Sequence, residues 1–89
     1  MDEPLPSEPE VIREIARVVE EELGLAQAVG PQTELQKDLA LDSITLLTLA
    51  VALEDRFRVL LREEDAPGLH TVEELARLVV QRAKERTTP

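Results

Sequence analysis

The chain has 89 residues, with 19 acidic against 10 basic side chains and a formal net charge of −9 at neutral pH. Phe57 is the one aromatic residue, and Cys, Trp and Tyr are absent. These totals exclude disulfides, thiolate chemistry and cysteine-based zinc sites, leave no aromatic platform for stacking bases, and disfavour contact with a phosphate backbone.

One domain with an aliphatic core is the expectation at this length. The negative charge suits basic protein surfaces as partners. No apolar run reaches the length of a membrane span. The first residues, MDEPLPSEPE, are acidic and Pro-rich without a hydrophobic segment, so they read as a flexible tail over residues 1–6 rather than a signal peptide. A chain without Cys suits a reducing compartment, and a cytoplasmic location is expected.

The folded part is expected over 7–86. Ser7 and Glu10 have the spacing of a capping box, and Pro9 is tolerable in a first turn. Val11, Ile12, Ile15, Val18, Val19 and Leu23 then recur at helical spacing, with Gly24 as a plausible stop. Residues 24–40 keep no period. Gly30-Pro31 marks a turn there, while Leu25, Val29, Leu35, Leu39 and Leu41 could pin the segment to a core as an ordered crossing loop.

Asp42 is placed to cap a second helix. On a wheel of about 3.6 residues per turn, Leu46, Leu49, Ala50, Leu53 and Phe57 form one apolar stripe. Ile44, Leu47 and Val51 form another, with Ser43 near the boundary. In so small a chain the second stripe is either covered by the loop or exposed as a binding strip. Residues 62–66, REEDA, suit a short helical turn ended by Pro67-Gly68. Thr71 and Glu74 give another capping box, with Val72, Leu75, Ala76, Leu78 and Val79 as the inner face of a last helix. Residues 87–89 read as a frayed end. The expected fold is all-α, a small four-helix bundle with a long loop between helices 1 and 2 and a short third helix.

Catalytic readings lack parts. His70 is the one His, set in a turn before a helix cap, so a Ser–His–Asp arrangement has no suitable base. The neighbours of Ser43 do not make a nucleophile elbow, and three scattered glycines make no phosphate loop. No catalytic residue and no metal ligand is assigned. What stands out is Ser43 at a helix N-terminus after a long loop. Orphan N–H groups and the helix dipole favour an anion there, so a phosphate ester would be well placed. An unmodified Ser fits equally as part of the cap.

Residues 38–44, DLALDSI, resemble the attachment motif of the acyl carrier proteins, D-L-G-x-D-S-[LI]. Upstream, PQTELQKDLALDS resembles that family's Pro, Thr and Leu before the motif. Downstream, LTLAVALEDRF resembles its apolar run ending in A-L-E-x-x-F, and EEDA with LHTVEELA resembles its third and fourth helices. The resemblance implies that Ser43, preceded by Asp42, carries a 4′-phosphopantetheine arm. The arm would come from coenzyme A through a separate phosphopantetheinyl transferase using Mg²⁺. An acyl intermediate would be held on it as a thioester and presented to enzymes of fatty-acid, polyketide or specialised lipid biosynthesis. Ile44, Leu47 and Val51, with Glu54 and Asp55, are the expected partner contacts, against loading and processing enzymes with basic docking surfaces.

Two departures from the pattern are visible. Ala40 stands where Gly is usual, which costs about 1 kcal/mol if that position needs positive φ. Thr45 and Thr48 stand where fatty-acid carriers place acids, which points to a specialised, free-standing carrier. Carriers of aminoacyl groups fit less well, because Ala40 and Leu41 replace their Gly-Gly. A different class of reading is an unmodified acidic adaptor that uses the apolar face of helix 2 for protein binding. A monomer is the simplest expectation.

Overall fold

The computed structural model describes residues 5–86. Three α-helices follow in chain order: α1 (Glu8–Glu21), α2 (Ser43–Phe57) and α3 (Val72–Arg86), with a 3-10 segment, Glu63–Gly68, between the last two. The expected tail and frayed end fall largely outside the described residues; within them, Leu5 is exposed and Pro6 is buried.

The all-helical class holds, but the fold has three α-helices and not four. The expected short third helix is a 3-10 segment that runs through Pro67 and Gly68 instead of ending before them. Six residues are too few for cooperative α-helical bonding, and a proline inside them donates no N–H. A tight reciprocal turn forms at its start: the Asp65 N–H donates to the Arg62 carbonyl at 3.0 Å, and the Arg62 N–H donates to Asp65 Oδ2 at 3.1 Å.

Both capping boxes form. Ser7 Oγ accepts the Glu10 N–H at 3.3 Å while Glu10 Oε1 accepts the Ser7 N–H at 3.4 Å. Thr71 Oγ1 accepts the Glu74 N–H at 3.2 Å, and Glu74 Oε1 accepts from Thr71 and His70 N–H groups at 2.9 and 2.7 Å. These N–H donors hold the Glu74 carboxyl below its usual range, His70's first and Thr71's second. His70 is therefore a turn residue that lends its backbone to a cap. Helix α1 stops slightly before Gly24, which takes φ +70°, a conformation open to glycine without a Cβ penalty.

The core is aliphatic. Val11, Ile15, Val18 and Val19 of α1 are fully buried, and α1 packs most extensively on α3. On α3 the buried positions are Val72, Leu75, Ala76, Val79 and Ala83. Leu78, expected on that face, is half-buried; Ala83 takes its place because the stripe continues by one more turn. The 3-10 segment is fixed to α3 by Asp65 Oδ1, which accepts from the Arg82 guanidinium at 2.8 Å.

The crossing loop is ordered, as expected. Leu35, Leu39 and Leu41 are buried, and Leu25 and Val29 pack against the core. The loop is stitched to the start of α3: the Leu35 N–H donates to the His70 carbonyl at 2.8 Å, and the Val72 N–H to the Thr33 carbonyl at 2.9 Å. It does not cover the second stripe of α2.

Candidate functional site

The site is built at the start of α2. Asp42 is its N-cap, with φ −92° and ψ −174°. Asp42 Oδ1 accepts the Thr45 N–H at 2.8 Å, and Thr45 Oγ1 accepts the Asp42 N–H at 2.9 Å. This is a capping box in which Thr takes the role usually given to Glu. The Thr45 N–H, then its hydroxyl, hold the Asp42 carboxyl below its ordinary pKa. Ser43 is the first residue of the helix and is exposed. Its hydroxyl stands at the positive end of the helix dipole.

The turn before Asp42 is bent at Ala40, which has φ 53°. The position does need positive φ, and Ala adopts it. Leu39 and Leu41 on either side are buried, so the core holds the turn in place.

The two stripes of α2 separate cleanly. Leu49, Leu53 and Phe57 are buried. Ile44, Leu47 and Val51 are 73%, 55% and 46% exposed, so the second stripe faces outward. Beside it runs a groove of about 450 Å³, lined by Ser43, Ile44, Leu46, Leu47, Ala50, Glu54, Leu61 and Arg62. Leu46 and Ala50, placed with the core stripe by their spacing, are half-buried and form its floor.

Glu54, an expected partner contact, turns inward. Its Oε2 accepts the Leu61 N–H at 2.8 Å and so holds residues 58–62 against α2. That carboxylate is committed to the groove wall. Asp55 is exposed, and Leu60, which the sequence did not single out, is 65% exposed. Leu61 and Arg62 were also missed as site residues. The return of the chain after Arg58, itself at φ 55°, brings them into the wall of the groove that Ser43 also lines.

The arrangement can present a hydroxyl and shelter an apolar chain. Among the described residues no group of His, Cys, Asp or Glu could hold a metal ion, and no helix is long and apolar enough to cross a membrane. An exposed Ser at a helix start, next to a groove with mostly apolar walls, fits a flexible prosthetic arm joined through phosphate.

The chain is similar to several known proteins. A family model described as the phosphopantetheine attachment site matches residues 13–79. An acyl carrier protein of Myxococcus xanthus is 38% identical over 69 residues, 76% of this chain and 87% of that protein. A meromycolate extension acyl carrier protein of Mycolicibacterium aurum is 36% identical over 67 residues, 74% of this chain and 69% of that protein. The crystal structure of an acyl carrier protein from Thermotoga maritima superposes with a TM-score of 0.77 at 23% identity, covering 88% of this chain and 92% of that one.

Proposed function

We propose, since this chain belongs to the acyl carrier protein family, that Ser43 is the residue that carries its 4′-phosphopantetheine. The family's members are carriers and not catalysts. The arm supplies a thiol on which an acyl group is held as a thioester. What supports Ser43 is its position: an exposed hydroxyl at the first residue of α2, capped by Asp42 and opening onto the groove.

The chain's own residues have distinct roles in this reading. Asp42 and Thr45 fix the helix start, so that Ser43 is presented in one orientation. Leu46, Ala50 and Leu61 give the groove its apolar lining, suited to methylene groups. Ile44, Leu47 and Val51 are the surface that a phosphopantetheinyl transferase and acyl-processing enzymes grip. Asp55 and the acidic surface steer basic rims of those partners, with Glu54 held back by its bond to Leu61. We read the protein as a cytoplasmic monomer on its charge and lack of Cys.

The narrower reading is a dedicated pathway, polyketide or modified lipid, because α2 has no acid before Glu54. Growth rescue of a strain lacking its general fatty-acid carrier would overturn that narrower reading alone.

The test of Ser43 is intact-protein mass after incubation with coenzyme A, Mg²⁺ and the phosphopantetheinyl transferase of the source organism, with Ser43→Ala alongside. The expected result is one added phosphopantetheine on the parent and none on the variant. Addition to both would place the attachment elsewhere, and addition to neither would overturn the reading in favour of an unmodified adaptor.

A further inference from the structure

We infer that Arg62 binds the phosphodiester of the arm on Ser43 and lays the arm along the groove instead of leaving it free in solvent. The inference rests on the reading of Ser43 above.

Attachment adds a negative charge at the residue directly after Asp42. The Asp42 carboxylate is itself kept ionised by the Thr45 N–H and hydroxyl, at 2.8 and 2.9 Å. It already occupies the Thr45 N–H, one of the donors that a helix start offers to an anion. Two like charges on successive residues therefore meet with part of the dipole's capacity already used. Helix α2 supplies no counter-charge nearby, since Ser43 through Leu53 contains no charged residue.

The groove does supply one. Arg62 and Ser43 line the same cavity of about 450 Å³, and Arg62 is the sole cation among the described residues that line it. The other charged residue, Glu54, is committed to the Leu61 N–H at 2.8 Å. The backbone of Arg62 is fixed by Asp65, whose carboxylate accepts the Arg62 N–H at 3.1 Å and whose N–H donates to the Arg62 carbonyl at 3.0 Å, and by Glu54 holding the preceding Leu61. The Arg62 guanidinium donates to Glu64 at 3.5 Å between exposed side chains, a pair of the weak, screened kind that a phosphate could displace. A guanidinium presents a planar fork that matches two phosphate oxygens. The phosphodiester is always next to Ser43, whereas an acyl group's position varies along the arm. The phosphate is thus the anion held constantly at the Ser43 end of the groove that Arg62 also lines.

The test uses the loaded protein, with intact mass taken first. A parent without the arm would defeat the Ser43 reading and this inference with it, whereas the measurements that follow bear on Arg62 alone. The Arg62 Nε–Hε resonance is then followed from the unloaded to the free-thiol loaded form. The arm's thiol is alkylated with iodoacetamide in parent, Arg62→Gln and Arg62→Lys, each checked for unchanged helicity. The expected results are a shifted Arg62 resonance on loading and alkylation about two- to fivefold faster in Arg62→Gln, the factor a screened pair supports. Arg62→Lys should recover part of the protection. The difference should vanish near ~1 M NaCl, where the Debye length falls to about 3 Å. An unmoved resonance together with equal alkylation rates would overturn the inference. So would a shift seen only after malonyl loading, which would assign Arg62 to a cargo carboxylate. If Arg62→Gln fails to fold, the parent resonance and Arg62→Lys still decide.

Discussion

At Ala40 a single Cβ sets the strain of the turn that leads into α2. Its φ of 53° lies in the left-handed region, where a Cβ crowds the backbone and glycine does not. The residue persists there because its neighbours Leu39 and Leu41 are buried, and the Leu41 N–H donates to the Leu35 carbonyl at 3.0 Å. Ala40 itself is exposed, so its methyl contributes little packing. Ala40→Gly is expected to raise stability by about 1 kcal/mol, read as a higher denaturant midpoint at unchanged slope. A fall would show that chain entropy outweighs the relieved strain. The capping roles of Ser7, Asp42 and Thr71 were legible because a cap depends on residues within one turn. The inward turn of Glu54 was not, since its partner, the Leu61 N–H, is placed by the chain's reversal after Phe57.

Helix α2 carries two apolar faces, one buried and one exposed. Leu49 and Leu53 are fully buried, so Leu49→Ala or Leu53→Ala should cost about 2–5 kcal/mol in equilibrium unfolding. Ile44→Glu or Leu47→Glu should leave helicity intact and weaken transfer of the arm, measured as a lower rate of mass gain. Unfolding by either change would mean that the outer stripe supports the core after all. Periodicity showed both faces but could not rank them, because a wheel describes one helix and not what packs on it. The same limit explains Leu46 and Ala50, which share the core stripe's spacing yet floor the groove. It explains the 3-10 segment too: REEDA has helical composition, but its length and Pro67 decide the bonding.

In the molecule as a whole, the long loop is part of the frame. Thr33 and Leu35 bond to Val72 and His70 across the start of α3, and Leu35 is fully buried. The amides of Leu35 and Val72 should therefore exchange with solvent as slowly as core amides of α1, in native-state hydrogen exchange. Fast exchange at both would show that the loop opens independently of the helices. The sequence by itself determined the helical class, the caps, the aliphatic core and the motif DLALDSI with Ser43 at a helix start. Each depends on residues near one another in the chain or on composition. Tertiary structure alone decided that the second stripe of α2 stays uncovered, that Glu54 serves the groove wall, and that Leu61 and Arg62 line the same groove as Ser43. Those outcomes depend on how distant segments close over a shared core, and local spacing carries no information about that closure.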